Sequence, residues 1–105
     1  MQKQGFKIID TNWQTRFGEL DIIASKGDIL HFVEVKLKVG EHFGTPEEMI
    51  NKRKLYQIRK TAEMYLLKNK QIRKVFTKFQ TDAVAIVLSE NGEVERLNYY
   101  ENIDL

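Results

Sequence analysis

The stretch GELDIIASKGDILHFVEVK, residues 18–36, sets carboxylates at alternate positions inside two runs rich in Ile, Val and Phe. Glu19 and Asp21 lie in the first run and Glu34 in the second, with Lys36 two residues further on. Strands are normally depleted of acids. Carboxylates that face one another across a sheet repel, so something positive belongs between them. Lys36 is one candidate and a hard divalent cation is another. Mg²⁺ is typically held by one or two carboxylates with water and substrate phosphate oxygens. An ion so held lowers the pKa of water and stabilises charge on a phosphate during displacement. A lysine at the same edge is suited to orient or deprotonate the attacking water. The same spacing also describes a solvated charged face, with Glu19 and Lys36 as an ordinary cross-strand pair. Spacing alone does not choose between these readings.

The elements that must position these residues are legible. Residues 6–13, 20–24 and 29–37 read as three strands. Thr45-Pro46-Glu47-Glu48 has the form of a helix start, with Thr45 as cap, Pro46 at the first helical position and Glu48 closing a capping box. The helix is expected to run to about Lys68 and to bury Leu55, Ile58, Ala62, Tyr65 and Leu66. Residues 82–88, DAVAIVL, form a short apolar run suited to a strand buried on both faces. Asn91-Gly92 supplies a hairpin turn into a last strand, residues 94–100. The order is βββ-α-ββ, an α/β sheet domain. A two-residue loop at Gly27-Asp28 would put Asp21 opposite Glu34 and Glu19 opposite Lys36. All four would then share one sheet face with Ile23 and Phe32, leaving Leu20, Ile22, Ala24, Val33, Val35 and Leu37 as the core face.

Composition bounds the alternatives. A chain of 105 residues with 42% hydrophobic content supports one core, hence a single domain over residues 1–105. No apolar run approaches the roughly 20 residues of a membrane helix. Cysteine is absent, which excludes disulfides and thiolate metal sites and fits a cytoplasmic protein. The net charge of +2 is mild, but residues 51–80 carry ten Lys or Arg against one acid, Glu63. Lys52, Arg53, Lys54, Arg59 and Lys60 on the long helix are therefore candidates for phosphate contact. A solvated helix face is the plainer reading, although such a face usually mixes signs. His31 falls on apolar parity and reads as structural. Trp13 and Phe17 read as core or rim packing ahead of base stacking. Asp82 reads as a buried hydrogen-bond acceptor, and Tyr99 and Tyr100 as part of an association surface. The oligomeric state stays open, a dimer included.

Asp21, a gap of twelve residues and then Glu34-Val35-Lys36 resembles the PD-(D/E)xK signature of restriction-endonuclease-like nucleases and archaeal Holliday junction resolvases. More closely, the chain from Gly5 to Asp82 resembles the YraN family of bacterial proteins, assigned to that fold. The likeness is carried by GF.I...NW, GELDIIA, FVEVK and K...I...A..YL, the last ending at Leu66.

The resemblance implies a central mixed sheet of about five strands with one long helix, and Mg²⁺- or Mn²⁺-dependent hydrolysis of phosphodiester bonds in branched or single-stranded DNA. It makes Asp21 and Glu34 metal ligands, with the carbonyl of Val35 a third. Lys36 becomes the catalytic lysine, Glu19 a secondary acid, and Lys54 a basic residue facing phosphate. Three features depart from the family pattern. The chain starts where an additional glutamate-bearing helix should end, Lys38 stands where arginine is usual, and Gln80-Thr81 replaces an Arg-Phe pair before Asp82. These departures keep a second class in view, a non-catalytic nucleic-acid-binding or assembly module with the nuclease fold. A protein-interaction domain with an incidental charged face is the third.

Overall fold

In a computed structural model of the chain, which describes residues 4–40, 42 and 44–103, five strands make one mixed sheet in sequential order. They are β1 (Lys7–Thr15), β2 (Gly18–Lys26), β3 (Ile29–Val39), β4 (Lys78–Leu88) and β5 (Val94–Tyr100). Neighbours are antiparallel except β3 and β4, which are parallel. Parallel neighbours require a long crossover. It is supplied by a 3₁₀ turn, Pro46–Met49, and two helices, α1 (Lys52–Lys68) and α2 (Lys70–Val75). The fold is α/β as expected, with the short α2 added and β4 starting at Lys78, ahead of Asp82.

The helix start differs from the expectation. Thr45 makes no side-chain capping bond, and the turn it precedes ends at Ile50, whose backbone is not helical. The side chain of Asn51 instead accepts from the Lys54 N–H at 2.9 Å and caps α1. Helix α1 buries Ile58, Thr61, Ala62 and Tyr65, while Leu55 and Leu66 are only half-buried. Its partners in the core are Leu20, Ile23, Leu30 and Phe32, with Trp13 set edge-on to Tyr65 at 5.2 Å. Gly18 permits the close approach, since a Cβ there would lie 3.0 Å from Thr61 Oγ1.

Two consequences follow for the sheet faces. Helix α1 covers the face of Ile23 and Phe32, which the alternation had made the polar one, while Leu37, assigned to the core face, is 49% exposed. Moreover, Leu20 and Ile23 enter the same core although they are three apart in one strand, which strict alternation forbids. The slip coincides with Asn12 in β1, at φ 50°, between the Thr11–Ile22 and Trp13–Leu20 pairs.

On the opposite face Asp82 is buried and saturated with donors. It accepts from Gln80 Nε2 at 2.8 Å, Asn102 N–H at 2.9 Å and the Tyr99 hydroxyl, and its Oδ2 lies 2.6 Å from His31 Nδ1. His31 and Asp82 are thus structural. Tyr99 serves this network, and Tyr100 donates to Glu47 at 2.6 Å.

The cap assignment gives a paired prediction. Asn51→Ala should lower stability in urea denaturation by about 1 kcal/mol. Thr45→Ala, lacking a capping bond to lose, should leave the midpoint unchanged.

Candidate functional site

The turn between β2 and β3 is the two-residue loop implied by the sequence. Gly27, at φ 61°, and Asp28 join Lys26 to Ile29, and the ladder keeps the expected register as far as Ile22–Val33. There it stops. The expected Asp21–Glu34 and Glu19–Lys36 rungs are not formed. Instead the Asp21 carboxylate accepts from the Val35 N–H at 2.8 Å, standing in for a backbone carbonyl of β2. A strand residue directs its N–H and C=O to the same neighbour. The Val35 carbonyl therefore faces the same opening beside Asp21.

Glu34 leaves β3 on the α1 side, next to Phe32, and is only 3% exposed. Its Oε1 lies 3.1 Å from Lys36 Nζ and 3.6 Å from Lys54 Nζ. Lys54 is brought there by α1, whose buried face it shares with Ile58 and Tyr65. In β4, Ala83 and Ala85 lie alongside Glu34 and Lys36, and their small side chains leave room above the sheet. Burial pushes the Glu34 carboxyl above its ordinary range and the nearby Asp21 charge pushes it further, against the opposing pull of Lys36 and Lys54.

Asp21, Glu34, Val35, Lys36 and Lys54 are thus brought to one corner. Glu19 lies beyond the end of the β2–β3 ladder, paired through its backbone with Gln14 of β1. Among the described residues no group of three His, Asp or Glu converges on a point suited to a metal ion.

The remaining basic residues do not form one stripe. Arg53 and Lys60, seven apart, lie on one flank of α1, and Lys52 and Arg59, seven apart, on the other. The first flank lines a groove of about 650 Å³ together with Phe17, Tyr56, Met64 and Leu67. Phe17, 48% exposed, is a rim residue and not a core one, whereas Trp13 packs against the core as expected. Tyr56 was missed. The signal for it was an aromatic lying off the Ile58–Ala62–Tyr65 stripe among basic residues.

The raised pKa of Glu34 predicts a pH dependence. Its folded value lies above the unfolded 4.5, so the folded state holds the proton more tightly. The Glu34 contribution to stability should therefore be greatest below the unfolded pKa and fall as pH rises through the folded one. Glu34→Gln, measured by urea denaturation in EDTA, should lose that slope and be at least as stable as wild type near neutral pH. A less stable variant with the wild-type slope would contradict this electrostatic reading.

Comparison with known proteins gives the lineage. A family model described as "Uncharacterised protein family UPF0102" matches residues 1–86. A "UPF0102 protein" of Dictyoglomus turgidum is 44% identical over 102 residues, covering 97% of this chain and 84% of the relative. One from Pelotomaculum thermopropionicum is 37% identical over 102 residues, covering 97% and 82%. Another, from Campylobacter jejuni, is 42% identical over 86 residues, covering 82% and 71%. The YraN likeness seen in GELDIIA and FVEVK is this same family. The chain belongs to UPF0102.

Proposed function

We propose that the corner of Asp21, Glu34 and Lys36 hydrolyses phosphodiester bonds in DNA, branched or single-stranded, on a sheet of the restriction-endonuclease-like kind. The observation that carries this reading is Glu34, a buried carboxylate beside Asp21 at the point where the β2–β3 ladder ends. A buried acid whose charge is opposed by burial and by a second acid is an unusual expense for a fold, and such sites cluster where chemistry is done.

The donor set suits Mg²⁺ or Mn²⁺. Asp21, Glu34 and the Val35 carbonyl offer hard oxygens, and a cation that keeps several waters needs no more than one or two carboxylates. Bound there, it would supply Lewis-acid stabilisation of the phosphate charge. This chain's residues would do the rest. Lys36 orients the attacking water and assists its deprotonation, while Lys54 holds a phosphate oxygen at the mouth of the site. Water would add to phosphorus as the P–O bond to the leaving strand breaks; the water's proton would pass to the Glu34 carboxylate held beside Lys36 and on to solvent, and the leaving alkoxide oxygen would take a proton from solvent.

One observation favours the non-catalytic module. Lys36 and Lys54 already neutralise Glu34, so the corner is stable as an ion cluster. Lys36→Ala separates the readings. It should suppress cleavage of flap, junction and single-stranded DNA by roughly 10²- to 10⁴-fold and leave DNA affinity within a few-fold. Wild type and variant that both bind DNA yet cleave nothing in Mg²⁺ or Mn²⁺ would establish the module.

Binding itself should fall steeply with salt, because phosphate contacts release counterions. Replacing Lys52, Arg53 and Lys54 by alanine should flatten that slope and weaken all sequences alike. A loss confined to certain sequences would show base readout in place of backbone contact.

A further inference from the structure

Two large aromatic side chains stand open to solvent on the same flank of α1. Phe17 is at the tip of the β1–β2 hairpin and Tyr56 is on the second turn of the helix, 48% and 59% exposed. Each has a cation over its ring. The Arg16 guanidinium lies 5.1 Å from the Phe17 centroid, and Lys60 Nζ lies 5.6 Å from that of Tyr56. Both rings line the groove floored by Met64 and Leu67 and flanked by Arg53 and Lys60. Exposed apolar surface of this extent marks a place of contact. Its lining holds two cations, Arg53 and Lys60, against one acid, Glu63, which lies 3.7 Å from Lys60.

Aromatic faces interleaved with cations suit one chemistry above others. Unpaired bases stack on rings while phosphates meet Lys and Arg. A duplex keeps its base faces inside the stack and could use only the cations. The groove also has a direction. It follows α1 from Arg53 to Leu67, about 21 Å at the helical rise. Arg53 adjoins Lys54, whose ammonium lies 3.6 Å from Glu34. We infer that this groove binds a single-stranded nucleic-acid segment, stacking its bases on Phe17 and Tyr56 and leading the strand toward the Glu34 corner. The inference rests on the nucleic-acid reading above and narrows the substrate to one with an unpaired strand beside the scissile bond.

The test is binding without cleavage. Affinities of the full chain for labelled oligo-dT and for a blunt duplex of equal length are measured in EDTA. Phe17→Ala, Tyr56→Ala and the conservative Phe17→Trp and Tyr56→Phe are compared with wild type, and melting curves verify folding. Wild type should prefer oligo-dT. Each alanine variant should lose about 5- to 100-fold for oligo-dT, with duplex affinity unchanged and the conservative variants near wild type. Alanine variants that bind oligo-dT as tightly as wild type would overturn the inference. So would equal losses for polyglutamate, which has the charge without the bases and would mark the groove as an acidic-peptide site. Ring-dependent oligo-dT binding in a chain that cleaves nothing would uphold the groove and remove only the hydrolytic reading.

Discussion

The hydrogen bond from the Val35 N–H to the Asp21 carboxylate, at 2.8 Å, decides where the central hairpin stops being a regular ladder. Backbone N–H groups in a sheet need partners. By giving Val35 a side-chain oxygen in place of a backbone carbonyl, Asp21 lets β2 and β3 part beyond Ile22–Val33 without leaving a donor unpaired. The gap holds Asp21 itself, the Val35 carbonyl and, one residue back along β3, Glu34. The same carboxylate that ends the ladder also raises the cost of ionising Glu34. Structure and electrostatics at this corner therefore have a common origin.

Helix α1 completes the corner through its packing. Ile58 and Tyr65 seat it on Phe32, and this seating holds Lys54 over Glu34. The short turn that precedes α1 is tied down separately. Glu47 accepts from Arg96 of β5 at 2.5 and 3.0 Å and from Tyr100, and these donors pull its carboxyl down to about 2. The crossover is thus pinned to the sheet at the 3₁₀ turn and again through α1.

The sequence made some of this legible and obscured the rest for physical reasons. Gly27-Asp28 disclosed the hairpin because only a tight loop beginning with Gly fits there, and the register followed. The order of strands and helix along the chain was equally plain from periodicity. Leu20, Ala24 and Val33 are buried as the alternation implied, but Ile23 and Phe32, put on the polar face, are buried too because helix α1 covers them, and alternation carries no sign of a face covered from outside the sheet. Thr45-Pro46 carried a stronger capping motif than Asn51, yet the chain uses the motif for a 3₁₀ turn and caps α1 six residues later. Helix α2 is short and buries no residue, so it left no apolar stripe to find.

A crystal grown with Mn²⁺, with anomalous scattering used to locate the metal, tests the central assignment most directly. The expected result is one Mn²⁺ site between the carboxylates of Asp21 and Glu34, with the Val35 carbonyl as a further ligand and the Lys36 and Lys54 ammonium groups drawn off Glu34. No anomalous peak at this corner, with both lysines still on Glu34, would contradict it.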